Sequence, residues 1–326
     1  MTTASAVGQA ASPVARIPAS WFSIVMGIAG LGAAWRAAAQ AYKVSAWVAD
    51  ALLAIAAALW LALLAAQVMK ALGARPRLRA ELEHPVEGSL AAFLPASLLL
   101  LASGIAVHSR PVALVLFWIG AAGQLAFAVY VFGRWFTGPM EPTLVTPALY
   151  VPPVIGNFLA ALAAASVGRT DAGWLFLGAG LIAWLLVGAT LLGRTLSAGE
   201  LAPPLRPLLG LELAPAAVGL VAWQALDGPY PDVATRTLLG FALFVALVLL
   251  RLLGRFRDVQ FGASFWAFTF PLAALSTATL QEGGVTPGSF AAGLALPIFI
   301  VVNGVVAVIA FRTVTAATRG ALLPRE

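Results

Sequence analysis

The chain has 326 residues, of which 61% are hydrophobic and only 10% are charged, and its mean hydropathy is +0.96. This composition excludes an ordinary soluble domain and places the chain in a lipid bilayer. The sequence contains no cysteine, which excludes disulfides and thiolate metal sites. The net charge of +6 comes from arginines in short loops between apolar segments, which indicates membrane topology and not nucleic-acid binding.

Apolar runs of about 20 residues are needed to cross the hydrocarbon core of a bilayer. The chain contains ten of them, at residues 18–41, 45–70, 88–108, 111–135, 146–168, 171–196, 204–226, 233–254, 260–281 and 288–312. The connections, such as RPRLRAELEHP and QEGGVTPG, are short and carry Pro, Gly or charge. We therefore predict an all-α integral membrane protein, with a ten-helix domain at 18–313 between cytoplasmic tails at 1–17 and 314–326.

The orientation follows from the basic residues. An even number of spans puts both termini on one side of the membrane. Of the 19 basic residues, fourteen lie on the side of the termini and five on the other, so both termini are predicted to be cytoplasmic. No long apolar run precedes Ala15, so the first span is expected to belong to the mature protein. Since 17 of the basic residues are Arg and 2 are Lys, we expect a bacterial inner-membrane protein.

Prolines alternate along the spans. The third, fifth, seventh and ninth spans carry internal prolines that would kink a helix, namely Pro95, Pro152, Pro153, Pro215 and Pro271. The even spans carry none, except Pro297 in the tenth. The carbonyls that a proline frees are satisfied most easily at the protein centre. The alternation predicts five helical hairpins, with bent odd helices inside around a central pore and straighter even helices outside. The alternative is that prolines are simply frequent in membrane helices.

The ninth span has one narrow face of small or polar residues that contains a single large ring. At 100° per residue this face carries Ala263, Ala267, Phe270, Ala274, Thr277 and Gln281. Such a stripe either lets another helix approach closely or lines an aqueous path. Taken alone, the pattern favours close packing. If it lines a path, the ring of Phe270 is predicted to plug it.

Few ionisable residues lie inside the spans. Glu212 in the seventh span is the deepest, and two interpretations stay open: a group for proton coupling or ion pairing, or a glutamate that reaches the cytoplasmic surface. His84 is predicted to begin a helix, Asn157 to satisfy a carbonyl freed by the prolines, and Arg36 to reach the headgroups. The sequence has no enzymatic motif and no metal-ligand spacing, so we predict neither catalysis, cofactor nor metal.

Five segments carry a family resemblance, all of them in or at the start of odd spans: WFSIVMGIAGLG, EHPVEGS, TPALYVPPVIGNFLAA, LRPLLGLELAPAAVG and FGASFWAFTFP. With these segments in this order, the chain resembles the tellurite-resistance/dicarboxylate transporter family, which includes bacterial TehA-type channels and the plant slow anion channels. The likeness runs from Pro18 to Arg312. Glu87 stands where a basic residue is expected in many relatives, so no anion-attracting role is carried over to it.

The resemblance implies a quasi-fivefold arrangement of hairpins, a homotrimer with one pore in each subunit, and a phenylalanine of the ninth helix that blocks each pore. That role falls on Phe270, with Phe268 as the fallback, and Ala263, Ala267, Ala274 and Thr277 would line the pore. The leading hypothesis is passive passage of small inorganic or organic anions across the bilayer. The alternatives are a proton-coupled carrier or exporter of C4-dicarboxylate, sulfite or tellurite-type oxyanions, and a membrane scaffold without transport. A regulatory partner is left open.

Overall fold

A computed structural model describes residues 16–138 and 140–320. The predicted N-terminal tail, apart from its last two residues, and positions 321–326 of the C-terminal tail lie outside these residues. In the described part the protein is all-helical and has ten helices that are long and apolar enough to cross a membrane. The predicted fold class and number of spans are therefore confirmed.

The ten spans begin within three residues of their predicted starts, because the apolar runs end at charged or turn-forming residues. In chain order they are Ala19–Tyr42, Trp47–Gly73, Pro85–Ile105, Arg110–Thr137, Pro147–Ser166, Thr170–Ser197, Pro203–Asp227, Val233–Arg251, Ala263–Val285 and Phe290–Thr318. They are called the first to the tenth span below.

The connection after the second span is a helix and not the irregular loop that its charge suggested. Arg75–Glu83 forms nine residues of α-helix with no buried residue. Its proline falls at the start, where the missing N–H breaks no hydrogen bond, and Arg79 pairs with Glu83 one turn later at 2.7 Å. Hydropathy did not predict this helix, because most of its residues are polar and none is buried.

Odd and even spans differ sharply in burial. In the odd spans 72–89% of the central apolar window is buried, against 22–33% in the even spans. The even spans instead expose large side chains such as Leu61, Trp118, Leu185 and Phe244. The odd spans therefore form the interior, and the even spans present the apolar surface that lipid requires.

The contacts between helices follow a regular order. The first span packs on the third, the third on the fifth, the fifth on the seventh, the seventh on the ninth, and the ninth on the first. Each even span packs on the odd span that precedes it. These contacts are compatible with five hairpins about an axis, an arrangement that stays a prediction.

The prolines of the inner spans lie at breaks between helical segments and not inside continuous α-helices. Pro95, Pro215 and Pro271 each fall in the first turn of an α-helical segment, at Phe93–Ile105, Ala214–Asp227 and Thr269–Val285. A 3-10 segment precedes the last two, at Pro203–Leu213 and Ala263–Phe268. Since the N–H groups of a first turn have no helical acceptor, a proline fits there at little cost. Pro297, in contrast, lies inside the unbroken tenth span.

The fifth span contains the strongest irregularity, a π-helical turn at Val151–Ile155 that includes Pro152 and Pro153. Two amides satisfy its carbonyls. Asn157 donates to the Pro153 carbonyl at 2.6 Å, as predicted, and Gln124 of the fourth span donates to the Pro152 carbonyl at 2.5 Å. Gln124 is fully buried, so an outer helix helps to hold the break in an inner one.

Two glycines let the first and ninth spans approach each other. A Cβ atom on Gly27 would collide with the Thr269 hydroxyl and lie 2.7 Å from the Trp266 ring. A Cβ atom on Gly30 would lie 3.0 Å from Cδ2 of Phe270 and 3.2 Å from Cβ of Ala273. These small residues therefore allow close backbone packing, the first of the two interpretations of the stripe.

We predict that Gly27→Ala destabilises the protein by about 1–3 kcal/mol, because the added methyl group must displace Thr269 or Trp266. Gly293→Ala is the matched control, since nothing lies within 4 Å of that position in the tenth span. Thermal unfolding in detergent, followed by tryptophan fluorescence, should show a lower melting temperature for the first variant only. Equal melting temperatures would refute the close contact.

Candidate functional site

The striped face of the ninth span borders two cavities, one towards each end of the helix. Ala263 and Ala267 line a cavity of about 270 Å³ together with residues from the beginnings of the first, third and seventh spans. Glu87 is the one ionisable residue among its lining residues, and we call it the Glu87 cavity.

The second cavity has a volume of about 150 Å³ and lies near the C-terminal end of the ninth span, where Thr277 and Gln281 line it. All five odd spans contribute to its wall, as does the second span. Arg36 is the one ionisable residue among its lining residues, and we call it the Arg36 cavity. Serine, threonine and glutamine side chains add polar groups to a wall that is otherwise apolar.

Phe270 lies on the ninth span between the residues that line the two cavities. Its side chain is 5% exposed, and its ring rests on the backbone of Gly30 in the first span. Ala274, one turn further on, is also buried. From Ala267 to Thr277 the α-helical rise amounts to roughly 15 Å, so a buried stretch with one large ring separates the cavities.

Phe268 points elsewhere. Its ring packs edge-to-face on Phe256 at 5.1 Å between centroids. A Cβ atom on Gly210 of the seventh span would lie 2.9 Å from its Cδ1 atom. Neither Phe268 nor Phe270 is a lining residue of the two cavities, so the packing partners distinguish them. The fallback residue thus has packing partners away from the striped face, which favours Phe270 of the two.

Arg36 does not reach freely towards headgroups. Its guanidinium donates to the carboxylate of Asp50 in the second span. The same carboxylate oxygen lies 2.9 Å from Nε2 of His108. Asp50 therefore provides a counter-charge for the arginine of the Arg36 cavity.

Glu212 is held by a tyrosine and not by an arginine. It lies in the 3-10 segment of the seventh span, and the Tyr150 hydroxyl donates to its Oε2 atom at 3.1 Å. Among the described residues no lysine or arginine lies within ion-pair distance of it. Glu212 lines neither cavity.

Two features had little signal in the sequence. Asp50 lies at the start of the second span and looks like an ordinary end-of-helix charge. Gln124 stands alone in an apolar outer helix, and a single amide there is the signal that could have revealed a buried partner. His84 does begin a helix, as predicted: its Nδ1 atom accepts from the backbone N–H groups of Val86 and Glu87.

Known proteins match the chain along most of its length. The family model described as SLAC1, voltage-dependent anion channel, matches residues 16–314. The tellurite resistance protein TehA homologue of Haemophilus influenzae is 30% identical over 307 residues, which cover 93% of this chain and 92% of that protein.

Plant proteins match at lower identity. The S-type anion channel SLAH3 of Arabidopsis thaliana is 26% identical over 285 residues, 83% of this chain and 44% of the plant protein. The guard cell S-type anion channel SLAC1 of the same plant is 26% identical over 189 residues, 57% of this chain and 34% of the plant protein. The chain thus matches less than half of each of these two plant channels.

The fold defines a multi-pass helical membrane protein with an inner and an outer set of spans. With a family match over nearly the whole chain, the protein belongs to the SLAC1 family of anion channels and transporters. Proteins of this family are not enzymes.

A double-mutant cycle tests where the Phe270 ring lies. We predict that Gly30→Ala costs about 1 kcal/mol of stability in the wild type and less when Phe270 is also alanine, because the added methyl group meets the ring. Thermal unfolding of the four proteins gives the coupling energy. The same cycle with Phe268→Ala should be additive; coupling to Phe268 and not to Phe270 would contradict the placement.

Proposed function

We propose that the protein is an anion channel of the bacterial inner membrane whose pore is occluded by Phe270. In this proposal the five inner spans, arranged as hairpins with their outer partners about a quasi-fivefold axis, enclose one pore in each subunit. The observation that carries the proposal is the position of one buried ring, on a face of small residues, between two cavities on the same helix.

The proposed route runs from the Glu87 cavity past Phe270 to the Arg36 cavity. Ala263, Ala267, Ala274 and Thr277 keep this face smooth, so only the ring of Phe270 fills the narrow part. Opening requires the ring to turn away from Gly30. The change from 3-10 to α-helix just before Phe270, with Pro271 following it, leaves the backbone there with few helical hydrogen bonds to break.

The proposed cargo is a small inorganic or organic anion. The family description and the names of the plant relatives support this choice. The cavities do not form a strongly charged selectivity filter. Their ionisable lining residues are Glu87 in one cavity and Arg36, which is paired with Asp50, in the other. Selectivity would then come from the pore width and from the cost of dehydrating the ion.

A proton-coupled carrier or exporter of dicarboxylate, sulfite or tellurite-type oxyanions is the alternative. It would use Glu212 as the coupling group. The position of Glu212 gives this alternative no support, because the carboxylate bonds to Tyr150 and lines neither cavity, so it would not contact a substrate there directly. Tellurite resistance in the name of the Haemophilus relative would fit a phenotype of anion flux, since this chain has no thiol for tellurite chemistry. A scaffold without transport is the second alternative.

Assembly and topology belong to the same proposal. We expect a homotrimer, by resemblance to the family, with the exposed apolar side chains of the even spans divided between lipid and neighbouring copies. We expect both termini in the cytoplasm, because fourteen of the 19 basic residues lie on the side of the termini. The Glu87 cavity would then open towards the cytoplasm.

We predict that Phe270→Ala raises the anion current by about tenfold or more, since a barrier lowered by ~1.4 kcal/mol already gives a factor of ten. The measurement is voltage-clamp recording in oocytes, with surface expression quantified. Phe268→Ala is the matched control and should leave the current near the wild-type level.

Three outcomes separate the hypotheses. A silent wild type with a conducting Phe270→Ala variant supports the plugged channel. A current that rises with Phe268→Ala instead would assign the occluding ring to Phe268. Silence of all three proteins at normal surface levels would favour the carrier or the scaffold.

We predict that Glu212→Gln leaves the current of the Phe270→Ala background within about twofold, because the carboxylate lies outside both cavities. Anion uptake into proteoliposomes under a pH gradient checks the alternative. Saturable, pH-driven uptake that collapses in Glu212→Gln would establish the coupled carrier and overturn the channel.

A further inference from the structure

Glu87 is a carboxylate on the wall of the proposed route. It occupies the first turn of the short helix Pro85–Leu90, which His84 caps. It lines the Glu87 cavity together with Ala263 and Ala267 of the ninth span. Any ion in that cavity therefore lies close to it.

Glu87 has no ion-pair partner among the described residues. Its Oε2 atom is buried without a hydrogen-bond partner there, and the Ser20 hydroxyl, which hydrogen-bonds to the carboxylate, is neutral. The His84 ring and Lys70 both act on Glu87 electrostatically, but the Lys70 ammonium group is bonded to Glu81 at 2.7 Å and to the Ile17 carbonyl at 2.5 Å. The lysine and Glu81 thus neutralise each other and leave the Glu87 carboxylate without an ion pair of its own.

The opposite cavity is different. Arg36 is the ionisable residue on its wall, and Asp50 compensates the arginine through a direct ion pair. One mouth of the proposed route thus carries a carboxylate without an ion-pair partner, and the other an arginine that is paired with an aspartate. A single charge placed on one side of a narrow barrier makes ion flow depend on direction.

We propose that Glu87 is an electrostatic barrier to anions at its mouth of the pore and makes anion conduction asymmetric. The carboxylate lowers the local anion concentration in the Glu87 cavity, so fewer anions enter from that side than from the Arg36 side at equal driving force. Glu87 thereby limits the conductance of the open pore and sets its preferred direction. This inference rests on the proposed channel function.

The experiment uses the full chain carrying Phe270→Ala and compares it with the same chain carrying Glu87→Gln in addition. Currents are recorded in symmetric chloride at equal and opposite voltages. We expect the first protein to rectify and the second to conduct about tenfold more in the weak direction, with a nearly linear current–voltage relation. In 1 M salt the rectification should shrink, because the screening length falls from about 10 Å at 0.1 M to about 3 Å.

Glu83→Gln in the Phe270→Ala background is the matched control. Glu83 is an exposed glutamate four residues away that pairs with Arg79 and lines neither cavity. The substitution Glu83→Gln removes the same charge from the same side of the membrane and should leave the rectification unchanged.

The outcomes are distinct. Loss of rectification with Glu87→Gln but not with Glu83→Gln supports the barrier. A robust current whose rectification does not change with Glu87→Gln overturns this inference but still supports the channel. Silence of every protein at normal surface levels overturns the channel and the inference together.

Discussion

The close contact between the first and ninth spans is the constraint on which the rest of the arrangement depends. Gly27 and Gly30 carry no side chains, so the ninth span lies directly on the first. This closeness brings the Phe270 ring onto a backbone surface and buries it. A larger residue at Gly30 would displace the Phe270 ring, which is the one large group on that face of the ninth span between the two cavities. Close packing and the proposed occlusion would therefore both follow from one contact, and the two interpretations of the small-residue stripe do not exclude each other.

The breaks in the inner spans set the positions of the side chains along the proposed route. Where a 3-10 segment joins an α-helix, the direction and spacing of side chains change, and Phe270 lies in the second position after such a junction. Broken backbone inside a membrane needs hydrogen-bond partners from the protein. Gln124 supplies one from an outer helix. The outer spans thus both face lipid and maintain the irregular interior.

The sequence predicted the spans and the inner and outer sets well, for clear physical reasons. Hydropathy determines which segments cross the bilayer, and prolines accumulate where carbonyls can find partners. The part of the stripe from Phe270 onward could be predicted because it lies in one α-helix, whereas Ala263 and Ala267 lie in a 3-10 segment to which the period of 3.6 residues does not apply. The polar helix Arg75–Glu83, the pairing of Asp50 with Arg36, and the Gln124 contact were not readable. The last two depend on how distant segments meet, which periodicity within one segment does not encode, and the helix was missed because hydropathy carries little signal for a polar helix.

The central claim is that position 270 lies in the path of the anion. The chain has no native cysteine, so Phe270→Cys introduces a single thiol. Chloride flux from proteoliposomes is measured before and after treatment with benzyl methanethiosulfonate, which attaches a ring at that position, and again after reduction. The account predicts that the small side chain permits flux, that the attached ring blocks it, and that reduction restores it, while Phe268→Cys shows no such cycle. Flux through Phe270→Cys that the reagent does not change, despite complete labelling, would contradict the account.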